Sequence, residues 1–399
     1  MATLQTSKTE RQYYIDWLRI ILILSVFLFH IGMIFNPWEW HVKNDVIYSG
    51  ALRNIMIFLH YWRMPLLFLI SGAGTWFALG KRTPGQYLGE RFKRLFIPFL
   101  AGIFILVPVQ VYIEKSGQYA SLLDYYPHMF KGIYPEGNFS WHHLWFIVYL
   151  FFIALIICPF LNFFRGKAFG RFIRWFENVA RKPLALNIVL IPILLSQIIL
   201  RQYFEAGTNA LFNDWASMSF YILFFLSGLV MPPSKKISEA IKSQRHLFLA
   251  ETILVSTIMF SAFTIVKSEE LASIVWDVAG IFLAWSCSLA AIGFAKRYLN
   301  KNNAFRKHAN EAIYPFYLLH QPVIVILASI VTRWEIPDLA KAMIITLSSF
   351  IISVALYRML IYRVNFMRVI FGMKPLKKEK VESVRIKTGI IRVEVRKSA

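Results

Sequence analysis

The stretch DWLRIILILSVFLFH, from Asp16 to His30, decides the class of this protein. Nine of the ten residues between Arg19 and His30 are apolar, and Ser25 is the exception. With its apolar neighbours the segment covers residues 15–36, which is more than the roughly 20 residues that a helix needs to cross a bilayer. The stretch predicts a membrane-spanning helix with an arginine near one end and a histidine inside it.

The composition also favours an integral membrane protein. Of the 399 residues, 57% are hydrophobic and 36 are phenylalanine. Only 17% are charged, compared with about 25% in typical soluble domains. A soluble protein of this length could not bury so much apolar surface, whereas a membrane protein leaves much of it in contact with lipid.

Ten segments of the chain are long and apolar enough to predict spanning helices, so we expect an all-α, polytopic membrane protein. The second segment is interrupted by Arg53, His60 and Arg63. The ten segments are 15–36, 49–80, 95–114, 143–164, 184–202, 212–231, 247–266, 272–295, 309–332 and 339–362.

The positive charge follows this arrangement. The net charge is +22, and cytoplasmic loops of membrane proteins are rich in Lys and Arg. With the N-terminus inside, the cytoplasmic segments contain 33 of the 44 basic residues, a pattern that a miscounted span would disturb. We therefore predict cytoplasmic N- and C-termini, and we assign the charge to membrane topology and not to binding of nucleic acid.

This topology divides the chain into a cytoplasmic N-terminus at 1–14, a membrane domain at 15–362 and a basic cytoplasmic tail at 363–399. The first span is interpreted as an uncleaved signal anchor, because no small-residue cleavage site follows it. Within the tail, SVRIKTGIIRVEVRK alternates with period two around Thr388–Gly389, as a small hairpin does. A basic tail attracted to anionic lipid headgroups is the favoured alternative.

Arg19 and His30 are the first candidates for function. Eleven residues are about three helical turns, so both side chains share a face, and His30 lies about 16 Å deeper than Arg19. Asp16 precedes Arg19 by three residues and can orient it. Ionisable groups at membrane depth usually mark function. The alternative is that Arg19 extends to the headgroups and His30 is a satisfied core residue.

The third span opens with a second basic pair, Arg91 and Arg94, on one helix face. We expect them at a helix N-terminus, where unpaired N–H groups attract anions, so they are candidate phosphate ligands. An ordinary positively charged flank is the alternative. In the second span, Ser71, Gly72 and Gly74 reduce side-chain bulk, which permits close approach of a thin ligand or, as the alternative, of another helix.

The ninth span and the fourth span supply supporting candidates. Glu311, Tyr317 and His320 lie in one helix, and His320 is about 18 Å from its cytoplasmic start. We interpret His320 as a polar partner or substrate contact, and several histidines are expected to meet near mid-membrane. Trp145 fits an aromatic belt or a supporting role. The pair His142–His143 has no carboxylate or cysteine cluster nearby in sequence, so no metal is predicted.

These motifs occur in one order over about residues 13–362. Arginine, ten residues and histidine are followed by Ser71–Gly72, by Arg-x-x-Arg, by HLWF and by YPFYLLH. Each motif alone is weak, but together they resemble the acyltransferase-3 family of multi-pass membrane acyltransferases and, within it, the glucan-succinylating branch. Many members carry a glutamate in the segment that reads WHHLWFIVYLFF here. This chain has none there, so no role of that glutamate carries over.

The resemblance implies an enzyme that takes an acyl group from cytoplasmic acyl-CoA and passes it to a hydroxyl outside the membrane, often on a glycan. It implies that His30 is the catalytic residue and that Arg19, Arg91 and Arg94 handle the phosphates of CoA. We expect His30 to act as a general base, since the ordinary pKa of histidine, about 6.5, lies near working pH. An acyl-histidine relay is equally open.

We therefore expect an acyl-CoA-dependent acyltransferase of the cell (inner) membrane, with the bilayer, acyl-CoA and a glycan as partners and without a permanently bound cofactor. Acetyl and succinyl groups are both compatible, and Arg63 is a candidate cation for a succinyl carboxylate. A transporter of glycan or lipid-linked sugar is the main alternative, although no repeated halves are visible. A scaffold would leave the Arg19–His30 stripe unexplained.

Overall fold

The computed structural model describes residues 12–80, 82–134, 136–207 and 210–376, together with the backbone of 382–386 and 389–393. Over these residues the chain is a succession of helices, followed by two short strands. The α-helices are α1 (Tyr13–Phe35), α2 (Ala51–Leu79), α3 (Pro84–Arg91), α4 (Ile97–Ile105), α5 (Val107–Glu114), α6 (Leu122–Tyr125), α7 (Trp145–Ile157), α8 (Leu161–Arg165), α9 (Lys167–Ala180), α10 (Leu190–Leu200), α11 (Trp215–Val230), α12 (Lys235–Ser243), α13 (Arg245–Ile265), α14 (Glu269–Tyr298), α15 (Ala304–Val331), α16 (Asp338–Leu356) and α17 (Asn365–Ile370). The strands are β1 (Glu382–Ile386) and β2 (Gly389–Val393).

Eight helical runs in the described residues are long and apolar enough to cross a membrane. The prediction of an all-α, polytopic membrane protein is therefore confirmed. The eight runs are α1, α2, Pro84–Glu114, His142–Arg165, α13, α14, α15 and Asp338–Ile361.

The fifth and sixth predicted spans are shorter than expected. One is the apolar helix Ala185–Leu200, and the other is α11, which has 16 residues and is followed by α12 at a bend of 109°. A helix of that length rises about 24 Å, whereas the hydrocarbon core is about 30 Å thick. These two segments do not cover the full core on their own.

The direction of two packed helices constrains how many segments cross. α1 and α15 run in the same direction, because Arg19 contacts Asn310 near the start of both helices and His30 contacts His320 further along. Successive crossings alternate in direction. With the eight long runs crossing, the two shorter segments must both cross or both stay on one side. The total is then eight or ten crossings. Both numbers are even, so both ends of the membrane domain lie on one side.

The third span begins earlier than predicted. Thr83 and Gln86 form a reciprocal capping pair, in which each backbone N–H donates to the other's side chain, and Pro84 occupies the first turn. Arg91 is the last residue of α3, and Arg94 lies in the π-helical turn that follows it. The expectation of a helix N-terminus at the two arginines is therefore wrong, since the capping pair places that terminus two turns earlier.

Glycines bring α2 and α11 into backbone contact. A β-carbon on Gly72 would lie 1.9 Å from the carbonyl oxygen of Phe225, and one on Gly228 would lie 1.8 Å from that of Leu69. Only glycine permits this spacing, because any side chain would overlap backbone atoms. The sequence left two interpretations of Gly72, close approach of a thin ligand or of another helix. The contact with α11 shows that Gly72 serves helix packing.

The C-terminal strands form an antiparallel pair. Glu382 lies opposite Val393, and Ile386 lies opposite Gly389. The period-two pattern thus forms the hairpin that the sequence left as the less favoured interpretation, while Thr388 lies outside the described residues. Contact of the tail with lipid headgroups stays a prediction.

Candidate active site

Two histidines from distant parts of the sequence meet in the helix bundle. Nδ1 of His30 lies 2.8 Å from Nε2 of His320. The two rings are nearly parallel, with an interplanar angle of 9° and centroids 5.0 Å apart. His320 is fully buried, and the Trp40 ring stacks on His30 with the ring centroids 6.2 Å apart. This hydrogen bond joins α1 to α15.

The proton positions in the pair follow from one further contact. Nδ1 of His320 lies 2.6 Å from the carbonyl oxygen of Tyr317. Since a carbonyl only accepts, Nδ1 of His320 carries the proton and its Nε2 is the acceptor in the neutral ring. Nδ1 of His30 therefore donates to His320, and Nε2 of neutral His30 keeps a free lone pair. The arrangement leaves His30 with the nitrogen that a general base requires.

A third histidine completes the group because a proline frees a carbonyl. Pro322 has no N–H, so the carbonyl of Leu318, four residues earlier, lacks its helical donor. Nε2 of His143 lies 3.1 Å from that oxygen and donates to it. The His143 ring is 5.6 Å from the His320 ring, and the hydroxyl of Tyr317 donates to the His143 carbonyl. Tyr317 thus positions both histidines.

His60 lies apart from this group. The centroid of its ring lies 6.2 Å from that of Phe29 and 5.8 Å from that of Trp38, and the residue is exposed. The expected meeting of several histidines therefore involves His30, His320 and His143, without His60. Sequence spacing could not separate these cases, because depth along a helix does not fix which neighbour a side chain faces.

A polar cluster borders the histidine group on the side away from Arg19. His41 pairs with the Glu114 carboxylate, and Gln321 donates to Nε2 of His41 at 3.1 Å. Tyr134 donates to Glu114 at 2.8 Å. Burial and the nearby Glu114 charge raise the pKa of Tyr134 above its ordinary value, so the phenol remains a proton donor. His142 packs between His41 and Tyr134.

The N-terminal ends of the same two helices, α1 and α15, carry arginines. Nη1 of Arg19 donates to Oδ1 of Asn310 at 3.1 Å and lies 3.6 Å from Asp16. Asp16 also pairs with Arg306, whose side chain is buried. Arg19 itself is about one-third exposed, so its charge is accessible to a ligand.

Arg91 and Arg94 lie close enough to Arg19 for their positive charges to repel that of Arg19. Nη2 of Arg91 donates to the hydroxyl of Thr75 at 3.0 Å, and Arg94 lies 3.5 Å from Glu90. Three cations from two spans thus share one region, although no helix terminus contributes. Such a group of guanidinium donors is suited to phosphate oxygens.

The small residues of α2 divide between two faces. A β-carbon on Gly74 would meet nothing nearer than Nη2 of Arg19 at 4.0 Å, so Gly74 faces α1 and has open space beside it. Gly72 instead faces α11. Ser71 donates to the carbonyl of Leu67 one turn earlier. Gly74 is therefore the residue of this stretch that lies beside Arg19.

The remaining supporting candidates lie outside the histidine group. Glu311 pairs with Arg368 at 3.0 Å, which fixes the chain after the last span to α15. Trp145 packs against Tyr149 and Tyr221 at 5.4 and 5.3 Å, inside an aromatic cluster. In the described part of the chain, no group of three or more His, Cys, Asp or Glu residues could hold a metal ion.

Known proteins are similar to this chain over most of its length. A family model described as an acyltransferase domain matches residues 12–358. Proteins named "Glucans biosynthesis protein C" from Salmonella paratyphi B, Salmonella dublin and Salmonella enteritidis are each 22% identical over 391 residues. The aligned regions cover 92% of this chain and 95% of each relative, so the similarity extends over nearly the full length of both.

Proposed function

Because this chain belongs to the acyltransferase-3 family, whose domain covers residues 12–358, it is a multi-pass membrane acyltransferase, and we propose that it transfers an acyl group from cytoplasmic acyl-CoA to a hydroxyl of an extracytoplasmic glycan. The observation that carries the proposal is the hydrogen-bonded series from the Tyr317 carbonyl through His320 to His30. It leaves a basic nitrogen on His30, about 16 Å along α1 from Arg19 at the cytoplasmic end.

The donor enters from the cytoplasmic side in this proposal. Arg19, Arg91 and Arg94 bind the phosphates of CoA through charge-assisted hydrogen bonds. The narrow pantetheine arm passes beside Gly74, where a β-carbon would have no neighbour nearer than Nη2 of Arg19 at 4.0 Å. A distance of about 16 Å along α1 is enough for that arm and places the thioester near His30.

The acceptor arrives from the other side, past Trp40. Nε2 of His30 takes the proton of the acceptor hydroxyl while its oxygen attacks the thioester carbon. The carbon–sulfur bond breaks, and the CoA thiolate leaves with the proton from His30. His320 acts as a positioning residue, because it fixes which nitrogen of His30 is free. The relatives' name refers to glucan biosynthesis, which supports a glycan as the acceptor class.

The test uses purified protein with radiolabelled acetyl-CoA or succinyl-CoA, with and without an oligosaccharide acceptor. We expect glycan-dependent release of free CoA and label on the glycan. A transporter would leave both CoA thioesters intact under all conditions. The His60→Ala variant is the matched control for the histidines, since His60 lies outside the group.

A further inference from the structure

Arg63 is a buried cation that the proposed reaction scheme has not used. It lies in α2, and only 5% of its surface is exposed. Its guanidinium carbon lies 3.3 Å from the centroid of the Phe29 ring. Phe29 precedes His30 in the chain, and the two rings are 6.0 Å apart. Arg63 therefore lies close to the reacting histidine.

The helix geometry places Arg63 at the depth of His30. α2 runs opposite to α1, since Gly74 lies beside Arg19 at one end and Gly32 contacts Met56 towards the other. Gly74 and Arg63 are eleven residues apart, which is about three turns and 16 Å on one helix face. The same spacing separates Arg19 from His30. The face of α2 that borders the proposed pantetheine path thus carries Arg63 at its deep end.

Arg63 has donors without acceptors. Among the described residues, Nε and Nη1 of Arg63 have no hydrogen-bond partner. A charge at membrane depth is costly unless it is compensated. The Phe29 face supplies a cation–π contact, but it engages no N–H group. The unpaired hydrogens favour an oxygen ligand that the free protein lacks.

We propose that Arg63 is a catalytic residue that donates hydrogen bonds to the carbonyl oxygen of the donor thioester and stabilises the oxyanion formed there. This inference rests on the proposed acyl transfer. When the acceptor oxygen bonds to the thioester carbon, the π electrons of the carbonyl move to its oxygen. They return when the carbon–sulfur bond breaks, so Arg63 gains and loses no proton.

The surroundings of Arg63 suit this role. Charge that develops on an oxygen is stabilised most where donors are already aimed and water is excluded. Stacking on Phe29 holds the guanidinium plane in place before the substrate arrives. Because the hydrogen bonds strengthen as the oxyanion forms, they act on the chemical step more than on binding of the donor.

The test measures kcat and KM for acyl-CoA in Arg63→Gln, with acetyl-CoA and succinyl-CoA as donors. We expect kcat to fall about 10²–10³-fold, with KM for each active donor within about threefold of wild type. Arg63→Lys retains the charge and should lose less. The matched control is Arg53→Gln, an exposed arginine of the same helix, which should behave as wild type.

Other outcomes overturn the inference. An unchanged kcat in Arg63→Gln would exclude the role, and so would a raised KM with kcat retained. Loss confined to succinyl-CoA would assign Arg63 to the terminal carboxylate of that acyl group instead. If Arg63→Gln does not yield a monodisperse protein, Arg63→Lys decides by the same division between kcat and KM. Wild-type protein that transfers no acyl group would reject the proposed function itself, before Arg63 is tested.

Discussion

Nδ1 of His30 lies 2.8 Å from Nε2 of His320, a residue 290 positions later in the chain. The carbonyl of Tyr317 fixes the proton on the far side of His320. The pair therefore resembles a catalytic histidine with its orienting partner, except that the orienting group is a second imidazole bound to a backbone carbonyl.

Replacing His320 should slow the reaction without weakening donor binding. In His320→Leu nothing accepts from Nδ1 of His30, so the wrong tautomer becomes accessible, and we expect kcat to fall about 10²–10⁴-fold. His320→Gln offers a carbonyl oxygen and should retain more activity than the leucine variant. Steady-state kinetics on both variants measure the difference. Equal activity of the two would argue against the orienting role.

Removing Arg91 should weaken binding of acyl-CoA. A hydrogen bond to a charged group contributes about 1.5–3 kcal/mol, so Arg91→Ala should raise KM roughly 10–100-fold. Lys93→Ala is the control, because Lys93 is an exposed cation of the same segment. Measurement of KM at two salt concentrations would separate specific binding from general attraction. A similar KM in both variants would contradict a specific phosphate contact.

Two glycines one half-turn apart should respond differently. Gly72→Ala places a β-carbon 1.9 Å from the Phe225 carbonyl, so it should destabilise the protein by about 1–3 kcal/mol and lower its melting temperature in detergent. Gly74→Ala has open space and should leave stability unchanged. Gly74→Leu should instead raise KM for acyl-CoA by narrowing the proposed path. An unaffected KM in the leucine variant would place the pantetheine arm elsewhere.

Asp16 should contribute to stability through Arg306. Removing one partner of a buried ion pair costs about 3–5 kcal/mol of stability. Asp16→Ala should therefore strongly lower thermal stability, because it leaves the buried positive charge of Arg306 without its carboxylate partner. Adding Arg306→Met should recover part of the loss. The double-mutant cycle gives the interaction energy, and strictly additive losses would show that the pair is not coupled.

The sequence was sufficient for the architecture. Apolar length alone identifies the eight long spans, because a bilayer requires about 20 such residues in each. The boundaries were less accessible, since the third span starts at the capping pair Thr83–Gln86, well before its apolar run begins. Because the apolar run begins only after Arg91 and Arg94, the sequence predicted a helix N-terminus at that pair. The terminus lies instead at the capping pair. The helix Ala185–Leu200 and α11 show that apolar composition does not guarantee full length.

The site was predictable along each helix but not between helices. The eleven-residue spacing identified Arg19 and His30, because helical periodicity fixes depth and face. It could not show that His320 contacts His30, or that His143 binds the carbonyl freed by Pro322, since those contacts depend on packing between distant segments. The missing N–H of Pro322 was the only local signal for His143.

The most direct test of the account is the turnover number of purified His30→Ala with radiolabelled acyl-CoA and a glycan acceptor. His60→Ala serves as the control for membrane insertion and for loss of a histidine. We predict that His30→Ala still binds acyl-CoA through Arg19, Arg91 and Arg94 but releases no CoA above the uncatalysed rate. Acyl transfer at the wild-type rate in this variant would contradict the assignment of His30 as the catalytic residue.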